Sequence, residues 1–548
     1  MKKNSLFIVL CSLFILFTTS QTENVAFDLQ KYIDEEIAKG NKNIIIPPGT
    51  YRVTPQNRSH LIFNDLNDIS ILAEGVEMIC TETTRAITFN RCNNVTLKGL
   101  VIDHDPLCFT QGVITKLGPD KSFIEFKIDD GYSDDLEERI EIFDAKTLNL
   151  KRDTYYGWGK FEKIGDRHFR IDKGVNYKYN PAIDKEETGD IFVTNNNHTP
   201  NGREPHSIYS DHCVNLRLEE ITVYSGNGFA FFESNGTKNS FIRCKVDRRP
   251  VETDMYERNK RIRSNNADAF HSKYAFIGPQ LIECSARYMG DDGINICGQY
   301  YFSAGGKGNS IRLVIPRTCL LKVGDRLELL TMEGKRLSEC FVLKIEDDGI
   351  ISQAEIDAIA PIRQNEGNRQ ALLRPQNKII KITVDREVDF ALGAVVGNAD
   401  RKGDGFLIKN CNFSYNRSRG ILIKACNGTI IGNVLEANVM HSILISPEAW
   451  WLESGSSDNL DIRDNIIIRN GAARAISVEG RGFFGDVPPA GLHNNITIEN
   501  NFFSDCIMPY IYMASTKAGI IKNNKYYFPV PGSITEPVQM VNCEDIIH

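Results

Sequence analysis

This chain lacks most of the short signals that point directly to a chemistry. It has no CxxC and no cysteine–histidine spacing of the zinc-site kind. It has no glycine-rich phosphate loop and no recognisable serine–histidine–aspartate arrangement. It also has no excess of basic residues: 64 Lys and Arg stand against 71 Asp and Glu, a net charge of −7. That balance offers nothing to hold a nucleic acid or an anionic membrane, and it suits a neutral substrate better than a polyanion. Past the N-terminus, no apolar run is long enough to suggest a membrane-spanning helix, so no membrane insertion is expected.

What is present at the N-terminus reads as an export leader over residues 1–20. Lys2 and Lys3 precede an apolar stretch from Leu6 to Phe17, and Thr18, Thr19 and Ser20 supply small residues for cleavage. Cys11 has no good lipobox around it, so a soluble exported protein is expected, in the periplasm or at the surface of a Gram-negative cell. Of the 14 cysteines, 13 remain without Cys11, an odd number scattered along the chain. This argues against a full disulfide framework and for buried, thiol-bearing apolar residues.

The 548 residues exceed what one small core needs. Internal repeats suggest a solenoid. Residues 21–107 begin with an amphipathic helix whose stripe is Leu29, Ile33 and Ile37, followed by IIIPPGTYRV, a cap and the first rungs. One recurrent strand includes FIRCKV, LIECSA, FLIKNCNF, TIIGNVL, LDIRDNIII and ITIENNFF. Aligning its central residues gives Glu220, Cys244, Cys284, Asn412, Asn433, Asn465, Asn501 and Asn524, and the asparagines suggest an internal amide ladder. A second recurrent strand opens on Asn227, Asp268, Asp292, Arg419, His441, Arg474 and Pro509, a polar column along one edge. Residues 108–195 and 299–400 lack the repeat and read as inserted antiparallel β modules. Rungs resume over 196–298 and 401–548. The expected fold is all-β: a right-handed parallel β-helix with two small barrel-like insertions.

Asp268, in NADAFH, lies 24 residues before Asp292, in MGDDG, about one rung. Neighbouring rungs place equivalent residues roughly 4.8 Å apart. With Asp291 beside them, the three carboxyls form a cluster suited to acid/base work on a sugar: one protonated group for the leaving oxygen, and carboxylates to activate water. Asp291 is assigned as general acid, with Asp268 and Asp292 holding the nucleophilic water. Substrate-contact candidates are Arg419, His271, Asn266, His206, Glu233, His441, Arg474 and Trp450, the last beside Trp451 in SPEAWWLE. Two other classes stay open: a calcium-dependent polysaccharide lyase with Arg419 as base, and a glycan-binding adhesin.

NADAFH, MGDDGINI, the IIIPPGTYRV entry and the two insertions together resemble glycoside hydrolase family 110 over residues 24–548. The resemblance implies bacterial exo-α-1,3-galactosidases acting on blood-group-B-like glycans, with an inverting mechanism and no metal or cofactor. It points to the family's B-type branch, which takes linear as well as branched galactosides. By similarity to polygalacturonases it implies Asp291 as acid and Asp268 with Asp292 as base. The polygalacturonase GHG and RIK motifs are absent, in agreement with a neutral galactoside; RSRGILIK only faintly echoes the second. The expected partners are α-1,3-galactoside glycans, and self-pairing as a homodimer stays open.

Overall fold

The computed structural model describes residues 27–548 apart from 155–158, 197–204, 255–259, 363–365, 389 and 528–535. The expected leader lies outside the described residues. No helix among the described residues is long and apolar enough to cross a membrane.

Three parallel sheets of 12, 11 and 11 strands form the faces of a parallel β-helix. Its strands are short, often three residues, because each coil turns a corner after one face. Left-handed residues mark many corners, including Glu220, Arg243, Glu283 and Asn410. The helix Leu29–Ala38 covers the first coil: Leu29 and Ile33 are buried, and Asp28 Oδ1 caps it by accepting from Lys31 N at 3.0 Å. Inside the coils, aliphatic and aromatic side chains stack rung upon rung; Phe231 and Phe270 are stacked with centroids 4.8 Å apart.

The amide ladder is present. Asn433 Nδ2 donates to Asn465 Oδ1 at 2.9 Å, Asn465 Nδ2 to Asn501 Oδ1 at 2.9 Å, and Asn501 Nδ2 to Asn524 Oδ1 at 3.1 Å. Each middle amide also accepts a backbone N–H and donates to a backbone carbonyl, so these buried groups are fully satisfied. Two members of the aligned column are displaced. Ser285 pairs with Asn412 and Asn412 with Val434, so Cys411 precedes Asn433 in the column, with Cys284 and Cys244 before it. Glu220 likewise yields its place to the buried Ile221. A one-residue offset moves a side chain to the opposite face, and only the apolar or amide-bearing neighbour fits inside. All 13 cysteines among the described residues are free thiols, ten of them buried.

Replacing Asn465 with alanine strands the Asn433 and Asn501 amides. The expected loss is about 1–3 kcal/mol per unsatisfied group, read as a lower unfolding midpoint. An unchanged midpoint would show that the ladder contributes no stability.

The insertions differ from each other. The first is a six-stranded antiparallel sheet from Phe109 to Asn196 whose order leaves two edges. It is not closed, unlike the barrel-like expectation. The second, from Tyr300 to Asn398, is a closed six-stranded barrel with two short helices. Excising the barrel from the coil path leaves the rungs continuous: Ile294 pairs directly with Ile421.

Candidate active site

The polar column is real and its register is exact in the pairing of Phe270 with Ile294 and of Ile294 with Ile421. Two residues before each, Asp268, Asp292 and Arg419 stack on successive rungs. The Ala269 N–H donates to the Asp292 carbonyl at 3.0 Å, and the Gly293 N–H to the Arg419 carbonyl at 2.9 Å. Toward the N-terminus the column continues through Phe229 and His206. Phe229 therefore replaces Asn227, which lies two residues too early. The glycines around the aspartate pair are demanded by close approach. A Cβ on Gly290 would lie 2.4 Å from the Asn266 carbonyl oxygen, and one on Gly293 would lie 2.5 Å from that of Gly420.

Oxygens of Asp268, Asp291 and Asp292 all lie within 4.8 Å of one another. Their environments differ. Asp268 is buried; its Oδ1 accepts from Asp292 N at 3.3 Å and its Oδ2 lies 2.8 Å from His271 Nδ1. Burial, then the Asp292 and Asp291 charges, push the Asp268 carboxyl well above the usual range. Asp292 is also buried. Burial raises it, and Arg419 opposes that by donating N–H to Oδ1 at 2.7 Å and Nη1 to Oδ2 at 3.2 Å; the net direction is upward. Asp291 is the most open, with a third of its side chain (33%) exposed, and it pairs with Arg417 Nη2 at 2.8 Å.

Burial lowers His271 to about 3, so its imidazole is neutral at ordinary pH. The buried Cys297 thiol is pushed up and remains S–H, 3.8 Å from Nε2. Nε2 therefore accepts, and Nδ1–H donates to Asp268. His271, Cys297 and Glu453 also bring ligand-type atoms within 4.8 Å of one another. There the Lys424 ammonium already supplies the positive charge, 2.9 Å from Glu453.

The far wall is built by SPEAWWLE. Glu448 and Glu453 pair in a tight antiparallel bridge, and Leu452 adopts φ +58° to close the turn. Trp450 and Trp451 sit at its tip, and Trp451 is 48% exposed. Glu448 takes Arg419 Nη2 on one oxygen and Lys424 Nζ on the other, the latter at 3.0 Å. Arg419 thus bridges Asp292 to Glu448.

The aspartates open into a chamber of about 520 Å³. A second chamber of about 410 Å³ adjoins it and shares Arg419, Glu448 and both tryptophans. Asp268, Asp291, Asp292, Arg419, His271 and Trp450 meet in the first, and His441 lines the second. Four candidates are placed elsewhere. Glu233 shares the inward column of Ser272 and Ile296 and is held inside the coil by Ser272 and Asn239. Asn266 is buried, donating to the Cys108 carbonyl at 2.7 Å and accepting from Arg263 at 3.1 Å. His206 stacks on Phe229, with centroids 4.6 Å apart. Arg474 lies over the Tyr512 ring at 4.2 Å. Neither of these last two lines a chamber. Sequence reasoning missed Arg417, Asn295, Lys424, Glu448 and Glu453. The available signals were the two glutamates bracketing the tryptophans and the segment RSRGILIK, which begins on Arg417 and ends on Lys424.

No family model matches the chain. It is distantly related to two named groups of proteins. It is 23% identical to alpha-1,3-galactosidase B of Bacteroides thetaiotaomicron over 76% of this chain and 65% of that protein. It is 21% identical to alpha-1,3-galactosidase A of Bacteroides fragilis over 92% of this chain and 84% of that protein. The chain thus spans just under two thirds of the first relative. Among solved structures, the family 28 exopolygalacturonase of Yersinia enterocolitica matches at 10% identity, covering 95% of this chain and 76% of that one, with a TM-score of 0.36.

Proposed function

We propose that the protein is a glycoside hydrolase that removes terminal α-1,3-linked galactose from linear and branched glycans with inversion. The observation that carries this reading is the stacked aspartate cluster, three carboxyls on two rungs with unlike surroundings, facing an exposed indole. The related proteins named alpha-1,3-galactosidase support the sugar and the linkage.

Asp291, the open member, addresses the glycosidic oxygen as general acid. Asp268 and Asp292, the buried pair, bind the attacking water; burial and their closeness leave them one proton to share, and the remaining charge makes the base. Spacing alone does not dictate inversion. Carboxyls this close fall short of the roughly 6.5–9.5 Å of ordinary inverting pairs. Inversion here requires the Asp268–Asp292 pair to deliver water directly to C1, on the face opposite the leaving oxygen, with Asp291 protonating that oxygen and no covalent sugar–enzyme bond formed. Trp451 offers its face to a sugar ring, and the second chamber gives room beyond the first residue.

The donor set fits acid/base chemistry better than a calcium site. Arg419 on Asp292 and Arg417 on Asp291 already balance much of the cluster's charge, which weakens its hold on a divalent cation such as calcium.

The test is NMR of Galα1,3Gal digestion in EDTA. β-Galactose is expected first, at an undiminished rate. First-formed α-galactose would overturn the water-holding pair. No turnover of Galα1,3Gal, with an unsaturated, ultraviolet-absorbing product formed instead from a uronide polysaccharide and abolished by EDTA, would replace the reading with a lyase. Binding without turnover would replace it with an adhesin.

A further inference from the structure

The first inserted sheet reaches into the aspartate cluster through a buried carboxylate that the hydrolytic reading does not use. Glu141 lies on the strand Leu136–Phe143 and is 2% exposed. Its Oε2 accepts from Arg263 Nη2 at 2.5 Å, and its Oε1 accepts from Arg139 Nη2 at 3.1 Å. The same Oε1 lies 3.6 Å from Arg417 Nε. Burial would raise this carboxyl; Arg263, Arg139 and Arg417 together outweigh it, and Glu141 lies below the usual range. It is a carboxylate at any working pH.

Arg417 faces two ways. Its Nη2 holds Asp291 at 2.8 Å, while its Nε is drawn toward Glu141 and donates to the Gly290 carbonyl. Arg139 donates to that same carbonyl at 3.2 Å. The peptide immediately before the aspartate pair is therefore gripped by two guanidiniums that Glu141 anchors.

We propose that Glu141 is a positioning residue, and that the first insertion is fused to the coil so that Glu141 divides Arg417 between itself and Asp291. The physical consequence is electrostatic. An undivided guanidinium at 2.8 Å favours the charged form of any carboxyl, which is the wrong form for an acid. A carboxylate behind Arg417 offsets part of its charge, and the one charge left on the Asp268–Asp292 pair acts in the same sense. Arg419, on the next rung, acts on Asp291 in the same sense as Arg417. Arg417, Arg419, Arg139, Asp268, Asp292 and Glu141 are the charged groups gathered around Asp291 and the peptide before it.

The inference rests on the hydrolytic reading only for the role given to Asp291. Its test is the titration of Asp291 itself, by carboxyl ¹³C NMR of aspartate-labelled protein, with the signal assigned through Asp291→Asn. The alkaline limb of kcat/KM is followed alongside. Glu141→Gln removes the carboxylate behind Arg417 and is expected to shift the Asp291 titration down by about one pH unit; Arg417→Gln removes the cation and is expected to shift it up by about as much. Opposed shifts of NMR titration and alkaline limb are the signature, since a merely structural role moves neither in opposite directions. Unmoved titrations, or shifts of one sign in both variants, overturn the proposal. Should Glu141→Gln fail to fold, Arg417→Gln and Arg417→Lys carry the test, with a raised titration in the first and a wild-type one in the second. A wild type that hydrolyses nothing overturns the hydrolytic reading, while the NMR titrations still decide this one.

Discussion

Replacing Asp268, Asp291 or Asp292 with asparagine is expected to lower kcat on Galα1,3Gal by about 10³-fold or more in each case, within the range general acid and base groups contribute. Asparagine keeps the shape and one acceptor oxygen. The Asp292 N–H can still be accepted at position 268, and Arg419 N–H at position 292, so the coil is expected to fold. The three losses should differ in kind. Asp291→Asn removes the proton donor, and a substrate whose leaving group needs no proton, such as α-galactosyl fluoride, should recover most of the rate. Asp268→Asn and Asp292→Asn damage the water-holding pair, and the fluoride should rescue neither. Because the buried pair acts as a unit, the double variant should be little worse than either single one. Near-normal turnover of Galα1,3Gal by Asp291→Asn, or equal losses on both substrates, would end the acid assignment.

Lys424→Met is expected to destabilise the protein by about 3–5 kcal/mol, the usual consequence of removing one partner from a buried ion network. Lys424 Nζ is fully enclosed, 3.0 Å from Glu448, 2.9 Å from Glu453 and 3.1 Å from Asn295 Oδ1. Burial alone would lower this ammonium; the two glutamates outweigh it and hold it well above its ordinary value. Methionine fills the space and leaves the buried Glu448 and the partly buried Glu453 without their ammonium, and Glu448 still pulls on Arg419 and through it on Asp292. Because the protein carries two inserted modules, a single two-state free energy is not well defined. The measurement is therefore paired: a thermal midpoint, and hydrogen-exchange protection of the strand Ile421–Ile423 and the Glu448–Glu453 turn. Adding Glu453→Gln should recover part of the loss. A midpoint within 1 °C of wild type, with protection unchanged, would show that the network carries no net stability.

Much of the fold was legible because a parallel coil repeats its chemistry. Asparagines at 433, 465, 501 and 524 recur at rung spacing, and stacking in register makes them one ladder. Asp268 and Asp292 could be aligned for the same reason, and so could Arg419 across a barrel of about a hundred residues. Errors arose where the repeat gives no phase. Asn412 and Cys411 are sequence neighbours, and only the requirement to fill the lumen decides which turns inward. Glu233, a substrate-contact candidate, lies two residues past the core Phe231 on the same strand and turns inward with it.

The sequence by itself determined the coil, its two interruptions and the coincidence of three aspartates, because these depend on periodicity and on motifs that lie on consecutive rungs. Only the tertiary structure decided how those aspartates differ. Burial sets Asp268 and Asp292 apart from Asp291. Arg417 arrives 126 residues after Asp291, and Glu141 comes from an inserted sheet 150 residues before it. Such contacts leave no period in the chain. They arise when folded modules dock, and charge interactions act through space without regard to sequence.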